Sequence, residues 1–323
     1  MVVIIFLIFL AGEMALVKFS PGWYWNHAPA HIRDFESVSL EPIDVLYFGD
    51  SVLDSVYSKE SDQTTIPELL RPRISPRKLS VVSHAAYDQS VYWEMLKYLE
   101  KSKNFPNTVI IPINLRSFSP RWQWRPEWQF DQEFWLLKYD RILPVAALYR
   151  PLKTFKYFEK DSISNEDYLN TRVVVGGKSQ GTLADFPEML EGDGDEKSIR
   201  NMFVVTYLTD LGKSDRKIVA LQQIVDLARR NNFKVIFYLT PIDYKSGELY
   251  CGEDFENIVS NKIKLITEAI QNRGATVVDL SRLFSSDLFY WRPEKIINEH
   301  LLFSGRKLLV DKIATEILGN KNN

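Results

Sequence analysis

The chain has 323 residues, the size of one large domain or two ordinary ones. Its 45% apolar, 25% charged and 13% aromatic residues, with 14 Gly and 15 Pro, exclude a disordered, collagenous or low-complexity protein. Lys and Arg number 40 against 42 Asp and Glu, a formal charge of −2, so no global positive field is present to drive sequence-independent nucleic-acid binding. The lone Cys251 cannot form an internal disulfide, and the four His with that Cys show no close metal-ligand spacing, which removes disulfide scaffolds and zinc modules.

Residues 1–12 are uncharged and almost wholly apolar, and after Glu13 the apolar character resumes up to Lys18. A bilayer core takes roughly 20 such residues. No Lys or Arg precedes the stretch and no small-x-small cleavage site follows it, so residues 1–19 are expected to be an uncleaved signal-anchor or transmembrane segment ahead of a domain at 20–323. A buried N-terminal helix or strand is the alternative reading.

After Pro21-Gly22-Trp23 a polar, irregular approach leads to the first strand signal, 44–48, an apolar run stopped by Gly49. Runs of the same kind at 79–82, 108–113, 233–239 and 275–280 make five strands. Helical spacing of apolar residues places helices at 90–101, 216–231, 255–272 and 304–318. Strands alternating with helices of this length pair in parallel through right-handed crossovers, so the expected fold is a three-layer α/β/α sandwich around a five-stranded parallel sheet. Residues 116–214 are too long for an ordinary connection and are expected to form a large inserted subdomain. The insert opens on Trp122, Trp124, Trp128, Phe130, Phe134 and Trp135, continues in a helix over 131–148, and passes an acidic Gly-containing segment at 191–196, read as a solvated turn rather than a calcium loop.

Ligands of a doubly wound sheet bind beyond the carboxyl ends of its strands, so the strand tips are where chemistry is sought. The first tip is Gly49-Asp50-Ser51, the second runs from Ser83-His84 to Asp88, and the third is Asn114-Leu115-Arg116. The fourth is Thr240-Pro241-Ile242-Asp243, and the fifth leads to Asn298-Glu299-His300 just before the last helix. A Ser at a strand-to-helix turn faces substrate, and its amide lies where a developing oxyanion is stabilised.

Ser51, Asn114 and His300, in this order and at these tips, resemble the SGNH (GDSL-type) hydrolase superfamily. The resemblance covers residues 42–115 and 216–318 but not the insert, and it implies the flavodoxin-like SGNH arrangement of the sheet. It implies Ser51 as acyl-accepting nucleophile, Asn114 as oxyanion-hole donor, and His300, followed by Leu301 and Gly305, as general base. An apolar anchor interrupted by one Glu is also similar to many bacterial envelope members, which implies an extracytoplasmic domain, periplasmic or at the cell surface. Two positions depart from the family pattern. Asp88 stands where the family has a Gly whose amide lines the oxyanion hole; the amide is retained, and its carboxylate must point away or meet a cation such as Arg116. Ile297 stands where the family has the Asp that orients the His. Glu299 is then the preferred acid candidate, with Glu294 and Asp287 near in sequence, and a Ser-His dyad oriented by a backbone carbonyl is an equal alternative.

The expected oxyanion hole comprises the amides of Ser51 and Asp88 with the Asn114 side chain. The aromatic faces of Trp122, Trp124 and Trp128 suit stacking on sugar rings, packing of the insert, or a membrane interface. Arg116, with Arg121 and Arg125, suits an anionic group or ordinary surface pairing. His84 is read as hydrogen-bonded structure and Cys251 as a bystander. The resemblance and these residues together imply a serine esterase or O-acyltransferase acting on acyl, foremost acetyl, esters of an envelope or exopolysaccharide, with no metal or organic cofactor. A lipid esterase, or an inactive envelope binding or assembly protein using the Trp-rich insert, is the competing reading. A nucleotide-binding domain ranks last, because no Gly-rich phosphate loop follows the first strand.

Overall fold

The computed structural model describes residues 28, 30–40, 42–120, 130–139, 165–175, 178–186, 195–294 and 297–319, with isolated positions 8, 11, 12 and 15. The first helix described along its length, α1 (Ala30–Leu40), occupies a stretch expected to be irregular. The reason is the three-residue spacing of Ile32, Phe35 and Val38, which puts all three on one buried stripe.

The strand β1 (Val45–Gly49) runs into one short turn of helix, α2 (Ser51–Asp54). Next comes α3 (Ile66–Arg73), opened by a reciprocal capping box between Thr65 and Glu68, and then β2 (Leu79–Ser83). The chain continues through α4 (Gln89–Ser102) into β3 (Thr108–Ile113). Within residues 116–214 the described elements are α5 (Asp131–Tyr139), α6 (Asn165–Leu169), an antiparallel hairpin of β4 (Arg172–Val175) and β5 (Lys178–Thr182), and α7 (Glu196–Tyr207). The helix expected over 131–148 is thus described as far as Tyr139, and its remainder lies outside the described residues. The second half holds α8 (Arg216–Asn231), β6 (Lys234–Leu239), α9 (Tyr244–Cys251), α10 (Phe255–Gln271), β7 (Thr276–Asp279), α11 (Trp291–Glu294) and α12 (Phe303–Leu318).

β1, β2, β3, β6 and β7 form one sheet in the order β2-β1-β3-β6-β7, and every neighbouring pair is parallel. This is the flavodoxin-like doubly wound order. β1 and β3 are buried along their whole length, which is why they read as unbroken apolar runs rather than alternating ones. α8 packs against α4 and α10, while α3 packs against α12, giving a helical layer on each side of the sheet. Because all five strands run the same way, the segments following Gly49, Ser83, Ile113, Leu239 and Asp279 leave the sheet along a single edge. The order reverses between β1 and β3, so the tips carrying Ser51 and Asn114 flank the switch point.

Gly49 is required at the end of β1 by close approach rather than by an unusual backbone angle. A Cβ there would sit 2.0 Å from Leu53 Cδ1, and Leu53 is fully buried in the core. Gly49→Ala is expected to lower the unfolding free energy by about 1–3 kcal/mol, the range for overpacking a core, as read by urea denaturation.

The expected anchor at 1–19 lies outside the described residues apart from the isolated positions, and among the described residues no helix is long and apolar enough to cross a membrane.

Candidate active site

The site begins with the turn after β1. Asp50, buried at the junction, caps α2 by accepting the Val52 amide at 2.9 Å, and its second carboxylate oxygen accepts from Asn114 Nδ2 at 3.0 Å. It therefore ties the Ser51 turn to the tip of β3. Burial raises the pKa of Asp50 above the usual carboxylate range, opposed by the charge of Arg116 and by these hydrogen bonds. Ser51 begins α2, and its Oγ lies 3.0 Å from Nε2 of His300. Two residues 249 apart in sequence are thus brought within one hydrogen bond.

His300 sits in the loop before α12, with its amide donating to Asn298 Oδ1 at 3.0 Å. Its Nδ1 lies 2.7 Å from the phenol oxygen of Tyr290. Burial, assisted by the Arg116 cation, pushes the imidazole pKa down to about 3, so the ring is neutral at ordinary pH and one of its two nitrogens is an acceptor.

Glu299, the sequence-based acid candidate, is not on the imidazole. The Glu299 carboxylate, 1% exposed, turns instead to the Tyr207 hydroxyl at 2.5 Å and to Arg116 Nε at 3.4 Å. Asp287 bonds with Ser285 and is solvent-facing, and the Glu294 side chain lies outside the described residues. The group that meets Nδ1 is a phenol, neither a carboxylate nor a backbone carbonyl.

Asp88 also differs in its partner from expectation. With φ −137° and ψ −178° its backbone is ordinary extended chain that any residue adopts, so nothing here demands the family's Gly. Its carboxylate turns into α4, accepting the Ser90 and Val91 amides at 2.9 and 3.4 Å. The cation facing it is Lys217 of α8, fully buried, with Nζ 3.0 Å from Asp88 Oδ2. Burial by itself would raise the Asp88 pKa; Lys217 outweighs it and holds the carboxyl below its usual range. Lys217 also donates to the Ser117 carbonyl, the Ser117 hydroxyl lies 2.7 Å from Asn114 O and 3.2 Å from Gln89 Oε1, and Gln89 Nε2 donates to Pro112 O at 3.3 Å. The tips of β2 and β3 are therefore cross-tied by one buried polar network. Arg116 is committed to Glu299 rather than to Asp88, and its amide donates to Asn114 Oδ1 at 3.0 Å.

Trp122, Trp124, Trp128, Arg121, Arg125 and residues 191–194 lie outside the described residues. Phe130, ahead of α5, packs edge-on to Tyr87 at 4.8 Å and to His84 at 5.8 Å. His84 Nδ1 bonds the Ala85 carbonyl at 2.9 Å, and its ring lies 4.1 Å from that of His31, which in turn meets Glu133 at 3.1 Å. Burial pushes the Cys251 thiol up to about 12, the opposite of nucleophilic activation. Among the described residues no group of three or more His, Cys, Asp or Glu is placed to hold a metal ion.

Four groups at this site were missed by sequence reasoning: Tyr290, Tyr207, Lys217 and Arg306. Lys217 did carry a signal, because it falls on the same helical stripe as the buried Leu221, Ile224 and Ala228. Arg306, also fully buried, bonds Glu60, Thr64 O, Asp62 O and Leu301 O, fastening the loop beyond α2 to the segment that carries His300. A cleft of about 850 Å³ borders residues 284–287 and Arg292 but includes neither Ser51 nor His300.

No family model matches the chain, and no curated protein matches it by sequence. Among solved structures it is similar to an acetyl-xylooligosaccharide esterase from Geobacillus, at 13% identity and a TM-score of 0.41, over 86% of this chain and 95% of that one. It is similar to an acylhydrolase from Bacteroides fragilis at 10% identity and a TM-score of 0.39, over 90% and 98% of the two chains. An aryl esterase from M. smegmatis gives 10% identity and a TM-score of 0.38, over 85% and 97%.

Proposed function

We propose that the chain is a serine ester hydrolase of the SGNH type. The observation that carries this is the 3.0 Å approach of Ser51 Oγ to Nε2 of a neutral His300, at the switch point of a doubly wound sheet. In the proposed reaction Ser51 Oγ attacks the ester carbonyl and His300 Nε2 takes its proton. The tetrahedral oxyanion is met by the amides of Ser51 and Asp88 and by Asn114, whose carboxamide has two N–H groups of which Asp50 takes one. Collapse expels the alcohol oxygen, which receives the proton from Nε2, and leaves an acyl-Ser51 ester. Water or a sugar hydroxyl then takes the acyl group, the two outcomes that separate an esterase from an O-acyltransferase. The chemistry is supplied by side chains and backbone amides.

The substrate class we propose is an acyl, foremost acetyl, ester of an envelope or exopolysaccharide, handled by a domain anchored outside the cytoplasmic membrane through residues 1–19. The apolar N-terminus and the Trp-rich stretch around 122–135 support this reading.

A fluorophosphonate probe tests the mechanism, since it phosphonylates only a serine whose proton is being removed. The expected result is stoichiometric labelling of the full chain at Ser51 and none in Ser51→Ala. Equal labelling of both, or none of either, overturns the enzyme reading, and retained polysaccharide binding without labelling would favour a binding protein. For an active chain, p-nitrophenyl acetate with and without an oligosaccharide acceptor distinguishes hydrolysis from transfer.

A further inference from the structure

A serine nucleophile needs its imidazole held in one tautomer and one orientation, a task performed in the Ser-His-Asp triad by a buried carboxylate. His300 has no carboxylate contact among the described residues. Glu299, next to it in sequence, is spent on Tyr207 and Arg116.

We propose that Tyr290 is the positioning residue for His300, its phenol oxygen accepting the Nδ1 proton so that the Nε2 lone pair faces Ser51 Oγ. The two atoms are 2.7 Å apart, a good hydrogen bond for an O···N pair. Tyr290 is itself over-determined. It is 3% exposed, and its ring stacks on Tyr57 at 5.6 Å and 19°. Its amide donates to His300 O at 3.3 Å, and the neighbouring Phe289 and Leu301 form a β-bridge, so the Tyr and His backbones are laced together. The next residue, Trp291, donates its indole N–H to buried Asp243 at 3.0 Å, and Asp243 also caps α9. The hydroxyl is therefore presented to Nδ1 by a rigid frame rather than by a mobile loop.

A phenol does part of what a carboxylate does. In the proposed arrangement it accepts the Nδ1 proton from a fixed direction, which leaves Nε2 as the acceptor facing Ser51, but it brings no negative charge to the imidazolium that forms as Ser51 is deprotonated. The orienting and charge-stabilising roles, joined in one Asp elsewhere, are here separated, and only the first is retained.

The kinetic arm of the test rests on the ester-hydrolase reading; the spectroscopic arm does not. Tyr290→Phe keeps the ring against Tyr57 and removes only the hydroxyl. With p-nitrophenyl acetate and the full chain, it is expected to lower kcat by about 10- to 100-fold, the lower part of the range for general-base assistance, with KM within twofold. Nitrogen-15 spectra of labelled histidine should show His300 protonated on Nδ1 in the wild type and a mixture of both tautomers in Tyr290→Phe. Unchanged kcat, or a wild-type proton on Nε2, overturns the proposal. If the wild type hydrolyses nothing, the ester reading fails by itself and the spectra alone decide: a tautomer unaffected by Tyr290→Phe sinks the role of Tyr290, and a shifted one upholds it.

Discussion

His300→Ala is expected to reduce kcat/KM for p-nitrophenyl acetate on the order of a thousandfold, within the range that a positioned general base contributes. In the proposed mechanism the base is His300, whose Nε2 meets Ser51 Oγ, and without it the hydroxyl keeps its proton at neutral pH. The accompanying pH profile is equally specific. An ordinary His would give an acidic limb near pH 6.5, below which kcat/KM falls. Burial, assisted by the Arg116 cation, brings the folded-state pKa of His300 to about 3, so the wild-type profile should remain flat from pH 8 down to at least pH 5. A limb near 6.5 would show that the imidazole is more solvated, or better paired, than its surroundings imply. The same depression has a cost for stability. Between pH 6.5 and 3 the unfolded chain binds a proton at this residue and the folded one does not, so this group's contribution is fully present above 6.5 and is lost progressively as pH falls towards 3.

Lys217→Ala is expected to lower the unfolding free energy by about 3 kcal/mol at neutral pH, the lower end for breaking a buried ion pair by removing one partner. The lysine is fully buried and Asp88 15% exposed, so the variant strands a largely desolvated carboxylate and also frees the Ser117 carbonyl. The effect should narrow as pH drops, because Asp88, held low by Lys217 in the wild type, protonates readily once the cation is gone. A pair of substitutions separates lost charge from lost packing. Asp88→Asn with Lys217→Met retains an N-cap and fills the volume with an apolar chain, and should recover most of the loss. Urea denaturation at pH 7 and pH 4 reads both outcomes. A single variant within 0.5 kcal/mol of wild type, the usual range for a surface position, would mean the pair is not buried in solution.

The Lys217–Asp88 pair also accounts for an acidic residue beside the proposed oxyanion site. The carboxylate is drawn into the first turn of α4 and onto Lys217, while the backbone amide keeps a conformation that needs no glycine. What the sequence presents as an obstacle to catalysis is therefore internally neutralised, by a cation from the other half of the fold.

The amino-acid sequence by itself determined the framework. Buried parallel strands are continuous apolar runs of fixed length, and amphipathic helices repeat every three to four residues, so the five strands and the helices at 89–102, 216–231, 255–271 and 303–318 were legible from local chemistry. The tips carrying Ser51, Asn114 and His300 followed, because a parallel sheet places all its carboxyl ends on one edge. Two local signals were present and went unread: Ile32, Phe35 and Val38 spaced for a helix, and the valine run of β4 ending in a Gly-Gly pair that marks a hairpin.

Tertiary structure alone decided the partners. Tyr290 reaches His300 through a bridge between two loops, Lys217 reaches Asp88 across 129 positions of sequence, and Glu299 turns away from its own neighbour to Tyr207. None of these follows from spacing. A hydrogen bond or ion pair is set by where two side chains end in space, and that depends on how separate elements pack against a common core rather than on any pattern within one of them.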